Sequence, residues 1–221
     1  MNITRTAFFA GIAIFACQSA PAAIGIALLD DFEDGTIGGW SSAFFTNTTN
    51  VAGGPAGSTR YLDIARASTR IGAFDNGADI QGAIDPAVNA VTVDMFRAVG
   101  VGSLDIRMVL FGPTAVGNRW TSTLSQTLPD DGAWHSYTFS TQEADLTQVG
   151  GADTYAVLTA NLDRIMFRHQ TGAPAAQGMP VAPTIGTFGI DNVTAVPEPA
   201  GPWMLGIALA TFLFGRRRRC A

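Results

Sequence analysis

Lysine is absent from all 221 residues, so every permanent positive charge is one of thirteen arginines. Cysteine occurs twice, at Cys17 and Cys220, close to opposite ends of the chain. The long stretch between them has no disulfide, so a hydrophobic core, with or without a metal, must hold it. Histidine also occurs only twice, at His135 and His169. No His-Glu-x-x-His, Gly-x-Ser-x-Gly or Cys–His pattern is present, which removes the common metalloprotease, serine-hydrolase and thiol chemistries. Paired carboxylates remain as a catalytic route, because the fold and not the sequence sets their separation. Basic residues are scarce in the interior of the chain: between Ala23 and Ala195 seventeen Asp and Glu face eight Arg, a net charge of about −9. That sign argues against a nucleic-acid partner, which needs a basic footprint. It suits divalent cations and solubility at a cell surface. No internal repeat or low-complexity tract is evident.

Long apolar runs are confined to the two ends. Arg5, the apolar residues 7–16 and Ala20-Pro21-Ala22 have the order of an export signal, assigning residues 1–23 to a signal peptide. An uncleaved anchor and a lipoprotein reading at Cys17 are the alternatives, and Phe15 fits the second poorly. At the other end, Val196-Pro197-Glu198-Pro199 precedes an apolar run over 203–214 and then Arg216, Arg217, Arg218 and Arg219. The prolines stop any strand or helix. As a helix the run spans about 18 Å, against a hydrocarbon core near 30 Å, and the arginines hold its end on the cytoplasmic side. A lasting anchor is therefore poorly matched, although an ordinary C-terminal anchor is the alternative.

Pro197, Glu198 and Pro199, the apolar run and the four arginines together resemble the PEP-CTERM sorting signal of Gram-negative bacteria. The resemblance covers residues 196–221. It implies an exosortase-type processing enzyme as partner, transient attachment to the inner membrane, and delivery to the cell envelope or an extracellular polysaccharide and biofilm matrix. It supplies an address and no activity.

Residues 24–195 read as one all-β domain. Alternating segments rich in Val, Ile, Phe and Thr recur between glycine-containing breaks. Strands are expected over 25–32, 43–51, 60–65, 70–74, 90–97, 103–111, 119–128, 135–139, 164–168 and 187–195. Val91, Val93 and Met95 alternate with Thr92 and Asp94, and Leu104, Ile106, Met108 and Leu110 do so with Asp105 and Arg107. Each run thus has one buried face. Joined at Gly100 and Gly102, the two read as neighbouring antiparallel strands. Leu146, Val149, Tyr155, Leu158 and Leu162 recur at three or four, which predicts one or two helical turns over 142–160 broken at Gly150-Gly151. The sum is a two-sheet antiparallel β-sandwich of jelly-roll type with a short helical insertion; a barrel fits the same pattern.

Two stretches carry a further resemblance. Leu29-Asp30-Asp31-Phe32-Glu33-Asp34-Gly35 with Gly39-Trp40 resembles the opening of jelly-roll carbohydrate-binding modules. Phe188-Gly189-Ile190-Asp191-Asn192-Val193 resembles the aspartate-rich turn of their last strand. The resemblance implies that first and last strands lie together and that acids from both hold a structural calcium. Separately, Trp134, Leu158, Leu162, Ile165 and Arg168 are placed as in laminin IV (laminin B) domains, whose architecture is also a jelly roll.

Calcium wants six to eight oxygens, and clustered carboxylates beside a turn supply that chemistry. Strand alternation puts Asp31 and Glu33 on one face with Phe32 in the core, so Asp31, Glu33 and Asp191 are the expected ligands. A solvated strand-to-turn edge is the alternative. Asp75-Asn76-Gly77-Ala78-Asp79 is better explained as a hairpin turn than as a calcium loop. Most of the large rings are needed for the core, but Trp120 follows Gly117-Asn118-Arg119 at a loop edge and is the expected sugar-stacking ring. No catalytic residue is assigned. The expected function is a non-enzymatic, exported surface protein that binds glycan or exopolysaccharide; a structural or adhesive protein and a glycoside-active enzyme are the alternatives.

Overall fold

The structure, a computed structural model, describes residues 22–42, 47–66, 70–113, 118–176 and 186–197. In chain order its strands begin with β1 (Ala22–Ile24), β2 (Ala27–Asp30), β3 (Trp40–Ser42), β4 (Asn47–Ala52) and β5 (Arg60–Arg66). They continue with β6 (Gly72–Asp75), β7 (Ala83–Ile84), β8 (Ala90–Arg97), β9 (Leu104–Phe111) and β10 (Arg119–Ser122). The last are β11 (Gln126–Leu128), β12 (Trp134–Ser140), β13 (Leu146–Gly150), β14 (Arg164–His169) and β15 (Gly186–Val196). One helix, α1 (Tyr155–Ala160), starts at Thr154, whose hydroxyl accepts from Val157 N–H.

Two antiparallel sheets face each other. One has the order β12-β8-β15-β5-β4 with β2 also on β15; the other runs β13-β10-β9-β14-β6-β3 with β11 also on β9. This is the expected sandwich: among the described residues each sheet ends in edge strands and the ladder does not close into a barrel. Strands β1 and β7 form a small, separate parallel pair.

The period of two makes the core. From Val91 to the end of β8 burial alternates, with Val91, Val93 and Met95 inward and Thr92, Asp94 and Phe96 outward. Leu62 and Ile64 of β5 and Phe188 and Ile190 of β15 join them from the same sheet. Ile106, Met108 and Leu110 of β9 and Ile165 and Phe167 of β14 face them from the other. Trp40 anchors the packing, stacked on Phe167 at 6.0 Å and edge-on to Phe32 at 6.2 Å. β15 ends at Val196, immediately before Pro197, which has no N–H with which to continue a ladder.

Three expectations about local order are corrected. Strands β8 and β9 are not neighbours: β8 pairs with β12 and β15, while β9 pairs with β10, β11 and β14. The chain changes sheet at Gly100 and Gly102, both at positive φ, and Arg97 ties that corner by donating to the Val101 and Gly102 carbonyls. The 142–160 stretch is not helical throughout. A 3-10 turn at Glu143–Asp145 leads into β13, whose Leu146 pairs with Ser122 at the sheet edge, and only then comes α1. The spacing of three and four arose from a strand and a helix in succession. Finally, Asn76-Gly77 does turn the chain, with Ile80 N–H donating to Gly77 O, but it is not a hairpin. Strands β6 and β7 on either side belong to different sheets.

Candidate functional site

The outward face of the sheet containing β15 carries an unusual density of rings. Tyr61 on β5, Phe96 on β8 and Trp134 on β12 all lie opposite the core-facing residues of their strands, and each is half-buried. Trp134 pairs directly with Phe96 across the ladder. The ring centroids lie 5.4 Å apart for Phe96 and Trp134, 5.2 Å for Tyr61 and Trp134, and 6.4 Å for Tyr61 and Phe96. Tyr61 and Trp134 come from strands separated by β8 and β15, and Gly189 lets them meet. A Cβ there would lie 2.8 Å from the Tyr61 ring and 3.1 Å from the Trp134 ring, so only glycine leaves the strand backbone bare beneath both. Polar groups border the rings: Asp63 pairs with Gly189, and Ser136 donates to Asp94 Oδ1. Ring faces flanked by carboxylates and hydroxyls can stack on a sugar and hydrogen-bond its hydroxyls.

The acidic residues of the opening segment sit at the end of this face. Asp191 pairs with Asp94 across the ladder, just before a bulge at Asn192, which has φ 49°. Asn192 N–H donates to Asp191 Oδ1 (2.8 Å) and its side chain donates to Asp94 Oδ2 (2.9 Å). Asp191 is fully buried and its Oδ2 has no hydrogen-bond partner. Burial pushes its pKa up to about 6; contacts from Ser58 and Asn192 act against this, and the charges of Glu33 and Asp94 add to it.

Glu33 is therefore close to Asp191, as the sequence led one to expect, and β2 pairs with β15 to bring the segments together. Glu33 accepts from Thr59 N–H (2.7 Å), Thr59 Oγ1 and Arg60 N–H. The Thr59 bonds hold its pKa below the usual glutamate range. Asp31 is not brought to the same place. Strand β2 stops at Asp30, and Phe32 takes φ 55° as its N–H donates to Asp30 Oδ1. Phe32 does enter the core, but through a left-handed turn in which strand alternation no longer operates. The charge of Asp31 is felt at Asp30 and does not appear among those acting on Asp191. Among the described residues no three Asp, Glu, His or Cys converge as a metal site.

Trp120 is corrected from an exposed ring to a core residue. It pairs with Leu110 and so points between the sheets; it is 8% exposed, donates Nε1–H to Asn118 and packs edge-on to Tyr155. The ring that is available, Trp134, carried no comparable loop signal in the sequence. Of the sorting residues only Pro197 is described; Glu198, Pro199 and Arg216 to Arg219 lie outside the described residues, as do residues 1–21. His169 is buried against Asp105 and His135 pairs with Asp131 at 2.9 Å, so neither histidine faces the rings. A cleft of about 470 Å³ between β11 and β12 has a single carboxylate in its lining, Asp145, and hence no acid pair of the kind glycoside hydrolysis uses.

Asp75 offers a clean pH test away from this face. It points inward beside Trp40, and its Oδ1 accepts from Gly77 N–H at 2.8 Å. Burial pushes its pKa up to about 6, with Asp79 and Asp30 adding and the Gly77 bond opposing. A folded pKa above the unfolded value means the folded state holds the proton more tightly. The contribution is whole below about pH 4 and is lost as pH rises through 6, about 2–3 kcal/mol in all. Denaturant titrations should therefore show Asp75→Asn gaining about that much on the parent between pH 4.5 and 7.5. Parallel stability curves for the two proteins would contradict this.

No family model matches the chain, and no curated protein matches its sequence. Solved structures do resemble its fold. A family 11 carbohydrate-binding module from Clostridium thermocellum, in complex with a β-1,3-1,4-mixed-linked tetrasaccharide, aligns with a TM-score of 0.55 at 17% identity, over 79% of this chain and 96% of that one. The N-terminal CBM22-1–CBM22-2 tandem domain of Paenibacillus barcinonensis Xyn10C aligns at 0.53 and 19% identity, over 81% and 52%. An exo-β-agarase aligns at 0.56 and 16% identity, over 79% of this chain but 25% of its own. At these identities the likeness establishes the jelly-roll fold.

Proposed function

We propose that this chain is a non-catalytic glycan-binding domain displayed at a cell surface. The observation that carries the reading is the Tyr61–Phe96–Trp134 surface over Gly189, bordered by Asp63, Asp94 and Ser136. The fold supports it, since similar jelly rolls include a module solved with a bound tetrasaccharide. The proposed route is export by residues 1–23, handling of residues 196–221 by an exosortase-type enzyme with brief membrane attachment, and residence in the envelope or exopolysaccharide matrix of a Gram-negative bacterium. Affinity electrophoresis of the purified protein through gels containing different polysaccharides tests the binding claim. Retardation by at least one polymer is expected; unchanged mobility in all of them would overturn it.

Calcium belongs to the same proposal. Glu33 and Asp191 would hold it, the unpartnered Oδ2 of Asp191 supplying an oxygen beside a second carboxylate. Carbonyl and water oxygens would complete the shell, with Asp31 outside it. Bound metal would act structurally, tying the opening segment to the last strand. Because Asp191 must ionise to ligate, affinity should rise as pH passes 6. EDTA should lower the melting temperature by several degrees at pH 7.5, since a ligand of the native state stabilises it. Identical melting curves with and without EDTA would remove the metal from the account.

A further inference from the structure

The opposite face of the sandwich has a different chemistry. Arg107 on β9 and Arg168 on β14 stand directly across from each other on the outward side of their sheet. They are only 4% and 1% exposed, although like charges facing across a ladder repel. Arg119 on β10, partly exposed, lies on the same side.

No carboxylate forms an ion pair with them. Among the described residues the ion pairs are His135–Asp131 and Arg164–Asp163. Every Asp and Glu of the chain except Glu198 lies among those residues. Asp105, whose charge is felt at Arg107, accepts from Thr127 instead. The guanidinium groups meet neutral oxygens. Arg107 donates to Ser122 O, Thr123 O and Gly172 O; Arg168 to Ala175 O, Ala176 O and Gln170 Oε1; Arg119 to Ala176 O. The Nε–H of all three is buried and unpartnered. Burial together with the neighbouring arginines lowers the Arg168 pKa to about 10. Beside them lies an apolar floor, where Arg119 and Arg164 sit over the Phe111 ring at 5.4 and 5.3 Å and Arg164 over Phe74 at 4.8 Å.

We propose that this arginine face binds an anionic glycan, its carboxylate or sulfate groups meeting Arg119 at the surface and replacing the 172–176 carbonyls on buried Arg107 and Arg168. Partly exposed Arg119 is the point of entry. The covering segment 172–176 offers only main-chain carbonyls to the arginines, which leave their positive charges unneutralised, whereas an oxyanion supplies the opposite charge and can accept from a guanidinium through two oxygens at once. The inference rests on the reading of the chain as a glycan-binding domain, but it uses the face opposite the aromatic surface. With a net charge near −9 between residues 23 and 195, long-range attraction does not draw a polyanion in, so retention reports a local site.

The full chain is run through gels holding polygalacturonate, dextran sulfate or uncharged dextran. Retardation by either acidic polymer is expected, weakening with added salt, and the stronger of the two identifies carboxylate or sulfate as the preferred group. Arg119→Gln should weaken it at least tenfold, Arg119→Lys less, and Trp134→Ala should leave it in place. Since Arg119 is partly exposed, circular dichroism should show the variants folded; if Arg119→Gln is not, Arg119→Lys and competition by free galacturonate decide. Acidic-polymer retardation that survives Arg119→Gln but disappears in Trp134→Ala overturns this inference and leaves the glycan-binding reading standing. So does retardation by dextran alone. Unchanged mobility in every gel overturns both.

Discussion

Truncating Trp134 to alanine should lower affinity for a glycan bound on the aromatic surface by about 30-fold, while the protein stays folded. The figure corresponds to about 2 kcal/mol, the scale of a central ring in a binding surface. The reason for expecting so large a loss is geometric. Trp134 touches both Phe96 at 5.4 Å and Tyr61 at 5.2 Å, so removing it also releases its neighbours. It projects from the face opposite the core, alongside Ser136 and Thr138, so the sandwich interior is untouched. Isothermal titration with the polymer retained by the parent measures the change, and a melting curve checks the fold. Gly189→Ala should act in the same direction without deleting any ring, by displacing Tyr61 and Trp134 from the strand beneath them. An affinity unchanged in both variants would remove the surface from the account.

The largest effect on stability is expected at Trp40. Trp40→Ala should cost about 3–5 kcal/mol, the range for deleting a large buried ring. For a domain of this size that corresponds to a fall in melting temperature of about 6–20 °C. Trp40 is 1% exposed and is gripped on two sides, stacked on Phe167 with ring planes 12° apart and edge-on to Phe32. Phe32 reaches that position only through its left-handed turn, so the cavity would also loosen the opening segment that carries Glu33. Trp40→Phe should cost much less. It keeps most of the ring contact and removes an indole N–H that is buried without a partner. Chemical denaturation of the three proteins separates these cases, and a loss below 1 kcal/mol for the alanine variant would contradict the packing described.

The sandwich was legible because its strands obey the simplest rule in the chain, alternation of period two. Residues 91–95 and 104–108 show it without interruption, and in the structure Val91, Val93 and Met95, like Leu104, Ile106 and Met108, lie in the core. Pairing was not legible. Which strand adjoins which depends on where the chain crosses between sheets, and Gly100 and Gly102 look the same whether they make a hairpin or a crossover. The same limit explains the ring assignment. A place just after a loop suggests exposure for Trp120, yet the register of β10 on β9 sets it beside Leu110 and therefore inside. Tyr61, Phe96, Trp134 and Gly189 come from four strands distant in sequence, and only folding makes them a surface.

The acidic opening was half legible. Glu33 and Asp191 were joined by the expectation that first and last strands meet, and β2 does pair with β15. Asp31 was placed by strand alternation in a segment that has already left the strand, which no composition or periodicity reveals. The arginine face was invisible for a related reason. Arg107 and Arg168 are 61 positions apart in the chain and become opposite neighbours only through the register of β14 on β9.

The central claim is that glycan sits on the Trp134 surface, and oxidation of tryptophan by N-bromosuccinimide tests it most directly. The chain has four tryptophans; Trp40 and Trp120 are 1% and 8% exposed, and Trp203 belongs to the tail. In the full chain carrying Trp203→Phe, half-buried Trp134 should be the residue that oxidises first, as read by mass spectrometry of its peptide. Saturation with a retained polysaccharide should slow that oxidation at least tenfold. Oxidation of Trp134 at the same rate with glycan fully bound would show that the ligand lies elsewhere.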